Sequence, residues 1–347
     1  MSAFSTQKSA FPAEQAENAM GAGTARNRVM VALDGSHLSQ KAIAHGMAAA
    51  RALGAELTLM RVMEPVSRKA SPADPVEWQL RRQRVQSSME ALARERGDKI
   101  AHIETQITEG RPADEICSWA REHHVGLTVL STRGAGQAGE HEVGRTAHRL
   151  IGYAPCSILL VPADAEETST VRYERIFVPL DGSSRAESAL PIALCLAEPN
   201  GAELVLAHAV PEPELTEIGP LEPEDEELRK RLLGRNERVA RDYLERVRTR
   251  FADRGVTARA LILSGGDARR LLSRSIADQG ADLVVLASHG RSGHGDVTVG
   301  SVATHLISHA CVPLLIVRTN GIVKRNAQGS HGAPCRMDTR LQTRAAA

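Results

Sequence analysis

The sequence predicts an α/β protein made of two tandem, doubly wound domains, each built on a five-stranded, mainly parallel sheet. Three observations predict it. The chain repeats itself: "VMVALDGSHLSQ" from Val29 is answered by "IFVPLDGSSRAE" from Ile176, which sets Asp34 and Asp181 147 residues apart. The far ends of the copies match as well, Gly134 and Gly144 recurring as Gly290 and Gly300, each 156 residues later. Within each copy, short apolar runs alternate with segments of helical period, the pattern of parallel strands joined by crossover helices. A repeat of about 140 residues is the size of a domain rather than of a solenoid unit. The expected domains are residues 27–163 and 172–318, flanked by small, polar segments at 1–26 and 319–347 that are expected to be disordered.

The elements of the first copy follow in order. "RVMVAL" from Arg28 is an unbroken apolar run, suited to a central strand covered on both faces. Leu38, Ala42, Met47, Ala50 and Leu53 then recur at helical spacing, and Gly54 is a helix stop. "ELTLMRV" from Glu56 is the second strand, residues 65–76 a Pro-rich loop, and Trp78 to Arg96 a charged helix. "HIETQITEG" from His102 is the third strand, Pro112 opens the next helix, and "LTVLS" from Leu127 is the fourth strand. A glycine-rich loop leads to a helix over residues 144–154, and "SILLVP" from Ser157 is the fifth strand. Residues 164–172 form a polar linker, after which the order repeats. Ser184 and Glu187 have the spacing of a capping box at the first helix of the second copy. Its acidic, Pro-rich insert includes a run at 222–227 that reads as a solvated loop.

Composition removes several function classes. With 43 basic and 42 acidic residues the net charge is +1, so no broad positive field exists for a nucleic-acid backbone. Aromatic residues are 3% of the chain, too few for base-stacking platforms. No run approaches the roughly 18 apolar residues of a membrane span, and the first residues carry no secretory pattern. Cys117, Cys156, Cys195, Cys311 and Cys335 form no CxxC pair and fall mostly in apolar patterns, so reduced thiols and a cytoplasmic location are expected.

Ligands of doubly wound sheets sit at the carboxyl ends of the strands. Both Asp-Gly-Ser turns and both glycine-rich loops fall at such ends. In the second copy Gly290 follows the fourth strand, nine residues separate it from Gly300, and Ser301 opens a helix. Glycines let backbone N–H groups approach a phosphate, and a helix N-terminus adds donors and partial positive charge. Asp181 at the end of the first strand can accept hydrogen bonds from a ribose or an adenine edge. The competing reading is that the glycines only turn the chain and Asp181 only caps a helix. No G-x-x-x-x-G-K-[ST], no G-x-S-x-G and no nucleophile with a placed base is present, so at most slow hydrolysis of bound ATP is expected.

On these motifs the chain resembles the universal stress protein family in its tandem form, over about 27–163 and 172–318. The fold it implies is Rossmann-like, of the adenine nucleotide hydrolase type. ATP-binding members carry G-x2-G-x9-G-[ST] after the fourth strand; the second copy has Ala287 at the first glycine and keeps Gly290, Gly300 and Ser301. The resemblance implies base and ribose contacts from Pro179, Leu180, Asp181, Ala209 and Leu286, and phosphate contacts from Gly290, Gly300, Ser301 and Val302. The first copy departs further, with Ser131 at the first glycine and Arg145 at the hydroxyl position. There the candidates are Asp34, Gly134 and Gly144, with Val62 against the base; Arg145 either pairs with a phosphate or covers the site. The resemblance thus implies a stress-response regulator that binds ATP, with Mg2+ as an optional companion, in an intact-looking second site and a degenerate first one. A nucleotide-free scaffold of the same fold is the alternative, and an adenylating enzyme ranks last because Asp-Gly-Ser stands where its phosphate loop would be. The fifth strands are edge strands that pair domains in this family, so a tandem chain is expected to pair them internally as a pseudo-dimer, with a further homodimer open. His305 and His309, even with His294, read as an exposed helix face rather than a metal site.

Overall fold

The computed structural model of the protein describes residues 28–64, 75–97, 103–136, 143–213, 223–252, 254–290, 299–309 and 311–318. The segments expected to be disordered, 1–26 and 319–347, lie outside the described residues, as do His294, Cys335 and most of the Pro-rich loop at 65–76.

The first half runs β1 (Arg28–Leu33), α1 (His37–Leu53), β2 (Glu56–Met63), α2 (Pro75–Gly97), β3 (Ile103–Glu109), α3 (Pro112–Glu122), β4 (Val125–Ser131), α4 (Arg145–Tyr153) and β5 (Ser157–Val161). The second half repeats this as β6 (Arg175–Pro179), α5 (Ser184–Glu187), α6 (Leu190–Ala197), β7 (Glu203–Val210), α7 (Pro223–Ala252), β8 (Ala258–Ser264), α8 (Ala268–Asp278), β9 (Leu283–Ala287), α9 (Ser301–His309) and β10 (Leu314–Val317). The α/β expectation holds, with helices on both faces of a mostly parallel sheet.

Among the described residues the strands form one sheet in the order β3-β2-β1-β4-β5-β10-β9-β6-β7-β8. Pairing within each half is parallel, and β5 meets β10 antiparallel, Leu159 opposite Leu315. Apolar clusters cover both faces, and each draws residues from both halves: Val29, Leu57, Val178 and Leu204 on one face, Met30, Ile158, Phe177 and Ile316 on the other. Chain order runs outward from β1 through β2 to β3, then returns to β4, so the strand order reverses between β1 and β4. That opens a crevice at their carboxyl ends.

Local chemistry explains the element ends. Gly54 caps α1 in the left-handed region at φ 59°, and Pro112 opens α3. The expected capping box at Ser184 is corrected: the cap is Ser183, whose hydroxyl accepts from the Ala186 N–H at 3.1 Å. The helical pattern after β6 is split into α5 and α6, because Pro191 cannot donate to the Glu187 carbonyl and its ring crowds that turn. The acidic run expected to be a loop is largely helical: Pro223 begins α7 and Glu224, Asp225 and Glu226 form its first turn, where carboxylates complement the helix dipole. Pro75 likewise starts α2 inside the segment expected to be a loop.

Candidate functional site

The crevice between β1 and β4 holds a cavity of about 660 Å³. Its wall includes Asp34, Val62, Gly134 and Gly144, the four first-half residues marked from sequence. The volume lies within the range of small-molecule sites. Asp34 follows β1 and ties the two strand ends together. Its Oδ1 accepts from the Ser36 N–H at 2.9 Å and from the Ser36 hydroxyl at 2.6 Å, and its Oδ2 accepts from the Ala135 N–H at 2.6 Å. Burial pushes the Asp34 carboxyl up, but the bonds from Ser36, Ala135 and Ser39 outweigh it and hold the pKa below the ordinary value. A Cβ on Gly134 would overlap Asp34 Oδ2, so the loop can pass this close only as glycine.

The second half repeats this frame. Asp181 Oδ1 accepts from the Ser183 N–H at 2.9 Å and the Ser183 hydroxyl at 2.6 Å, and a Cβ on Gly290 would overlap Asp181 Oδ2. The Gly144 N–H donates to the Thr132 carbonyl at 2.8 Å, and the Gly300 N–H to the Ser288 carbonyl at the same distance, so each loop closes before its helix starts. Ser301 is the first residue of α9, followed by Val302, and Gly300 sits against Gly290. Pro179 ends β6, Ala209 lies on β7 and Ala287 ends β9. Leu180 and Leu286 are buried on opposite faces of the sheet, so what they offer a ligand at this edge is their backbone.

A model of the universal stress protein family matches residues 25–162 and again 172–318. The chain belongs to the universal stress protein family. A universal stress protein of Mycolicibacterium smegmatis is 27% identical over 298 residues, covering 84% of this chain and 96% of that protein. Universal stress protein Rv2005c of Mycobacterium tuberculosis is 24% identical over 303 residues, with the same coverage of each chain. A solved universal stress protein of Archaeoglobus fulgidus superposes with a TM-score of 0.56 at 17% identity, over 84% of this chain and 98% of that one, a likeness of fold.

Sequence reasoning missed part of the first-half wall in this universal stress protein. Arg61 on β2 and Arg81 on α2 line the cavity beside Arg133 and Arg145. The Arg61 guanidinium lies over Gly35, where a Cβ would collide with it. Ser131, noted only as a lost glycine, is 7% exposed and lines the cavity, and its Oγ has no hydrogen-bond partner among the described residues. Comparing the copies residue by residue finds Arg61, since His208 stands 147 residues on, the spacing of Asp34 and Asp181. Among the described residues no three His, Cys, Asp or Glu side chains group as metal ligands. His305 and His309 stack at 4.2 Å, His309 Nδ1 lying 2.8 Å from the His305 carbonyl. Cys117, Cys156 and Cys195 are buried free thiols and Cys311 is exposed. Among the described residues no helix is long and apolar enough to cross a membrane.

Proposed function

We propose that the protein is an ATP-binding regulatory member of its family, acting in the stress response. The observation that carries this reading is the clearance at the two loops. Gly134 and Gly290 press so closely on the Asp34 and Asp181 carboxylates that only glycine fits, which holds each glycine loop against the end of the first strand of its half. Aspartate then serves the ribose side, and the glycine loop with the following helix N-terminus serves the phosphates. In the second half Gly290, Gly300 and Ser301 hold the phosphates and Pro179, Leu180, Asp181, Ala209 and Leu286 the nucleoside. In the first half Asp34, Val62, Gly134 and Gly144 do so, with Arg145 supplying charge in place of a hydroxyl. Mg2+ would arrive with the phosphates. The paired fifth strands make the chain the intramolecular equivalent of a dimer, working in the cytoplasm, with residues 27–163 and 172–318 as its units.

The test is nucleotide extracted from freshly purified protein, with melting temperature against added ATP, for the unchanged chain, Arg145→Glu and Ser301→Glu. Each variant sets a carboxylate where phosphates would lie without crowding a glycine. Selective binding to the folded state raises the melting temperature. ATP uptake that falls in the Ser301 variant supports the second site. No uptake by the unchanged chain at millimolar ATP leaves the scaffold alternative, which Ala287, Ser131 and Arg145 favour.

A further inference from the structure

The first-half cavity is lined by four guanidiniums, two of them supplied by β2 and α2 rather than by the glycine loop and α4. Arg133 and Arg145 stand at the glycine loop and at the start of α4. Arg61 lies over Gly35, next to Asp34, and Arg81 lies by Glu64, both on the cavity wall. The carboxylates on the wall are Asp34 and Glu64, so four guanidiniums face two acids. These cations differ in what already engages them. Arg133 is paired with Asp164, and Arg81 donates to the Glu64 carbonyl at 3.4 Å. Arg61 makes no hydrogen bond or ion pair among the described residues; it lies over Gly35, with Asp34 and Arg81 as its electrostatic neighbours. Asp34 already takes three donors from Ser36 and Ala135, which leaves about one of its acceptor sites for a ribose hydroxyl. The buried Ser131 Oγ in the same wall has no hydrogen-bond partner among the described residues.

We propose that the first-half site takes a nucleotide carrying a phosphate on its ribose 2′ or 3′ oxygen in addition to its 5′ phosphate. The proposal rests on the nucleotide reading above and adds the ligand class. In dinucleotide sites an arginine near the ribose accommodates a ribose phosphate, because its fork matches phosphate oxygens bidentately. Arg61 occupies that place, with Arg81 adding charge. The second half is built otherwise: His208 stands where Arg61 does, its ring edge-on to Tyr243 at 6.2 Å, and Ser301 and His289 stand where Arg145 and Arg133 do. The two halves would therefore sort nucleotides by ribose charge.

The test is titration calorimetry on the full chain with AMP, adenosine 2′,5′-bisphosphate and adenosine 3′,5′-bisphosphate. One bisphosphate should bind at least about tenfold more tightly than AMP, and the favoured isomer identifies the oxygen. Arg61→His installs the residue that β7 carries at the same place; it should keep AMP binding and reduce the preference below about twofold. Arg61→Lys keeps the charge without the fork and should retain part of the preference, which guards against a folding defect in the first variant. Arg145→Ser should weaken AMP and the bisphosphates alike and leave their ratio unchanged. Equal affinity for the three ligands, or a preference that survives Arg61→His, would overturn the assignment. Absence of binding by all three and by ATP would remove the nucleotide reading itself.

Discussion

Gly134 has no room for a side chain because Asp34 Oδ2 lies where its Cβ would stand. Asp34 cannot swing away without giving up three hydrogen bonds. Gly134→Ala should therefore destabilise the protein by about 1–3 kcal/mol, the usual cost of overpacking a tight site. Gly144→Ala should cost less than about 1 kcal/mol, since its nearest neighbour would be the Thr132 carbonyl at 3.4 Å. Urea denaturation of both variants decides; equal losses would show that the aspartate contact does not set the demand for glycine. A second residue sets pH sensitivity. His45 on α1 is buried with its Nδ1 2.9 Å from the Tyr173 hydroxyl, and burial lowers its pKa from 6.5 to about 4. Between those values the unfolded imidazole takes up a proton that the folded one refuses. The His45 contribution to stability is thus full above pH 6.5, falls as pH drops through the window, and is lost below it, about 3 kcal/mol in all. His45→Gln should flatten the slope of urea-unfolding free energy between pH 4 and 6.5; an unchanged slope would assign it to other groups. Asp34, whose pKa is lowered, acts in a separate window, losing its contribution as pH falls below the ordinary carboxylate value.

At the scale of elements, the Asp-x-Ser turn is one device used twice. Ser36 and Ser183 each donate a hydroxyl back to the preceding aspartate at 2.6 Å and accept from an N–H of the following helix at 3.1 Å. Ser183→Ala should cost about 1 kcal/mol in thermal or urea unfolding, while Ser184→Ala, now a first-turn residue, should change stability by only a few tenths of that. The reverse order would restore the capping box that sequence spacing suggests. That spacing misleads for a physical reason. Two serines stand together and Glu187 favours the second, but the Asp181 carboxylate reaches the residue two places on, which is Ser183. The strands were legible because β1, β4 and β5 are apolar on both faces, and α1 because its apolar spacing and Gly54 agree. The interruption at Pro191 and the helical start at Pro223 were less so, since proline marks a break or a beginning with the same residue. In the candidate site, Asp34, Val62, Gly134 and Gly144 were legible from repeat position, while the placing of Arg61 over Gly35 depends on how β2 registers beside β1 and has no local pattern.

For the whole molecule, the question is whether two similar halves behave as two bodies or one. Apolar "SILLV" and "LLIV" announce that each fifth strand needs a neighbour, and the tandem repeat leads to the expectation that the same chain supplies it; here β10 pairs with β5 antiparallel. The linker is fastened as well. Lys41 Nζ donates to the Ala163 and Ala165 carbonyls at 2.9 and 2.7 Å, the Ala163 N–H donates to Thr132 Oγ1 at 3.1 Å, and Arg133 of the glycine loop pairs with Asp164. His45 on α1 meets Tyr173 just before β6, burying a polar contact between first half and second. With both apolar clusters continuous across the junction, unfolding one half would expose core of the other, so neither has an independent equilibrium to follow. Scanning calorimetry should accordingly give a single transition whose calorimetric and van't Hoff enthalpies agree. A ligand confined to either half should then move that whole transition, because the stabilisation it adds is shared by everything that unfolds with it. Two resolved peaks, with only one responding to nucleotide, would show that β5 and β10 join the halves without coupling them.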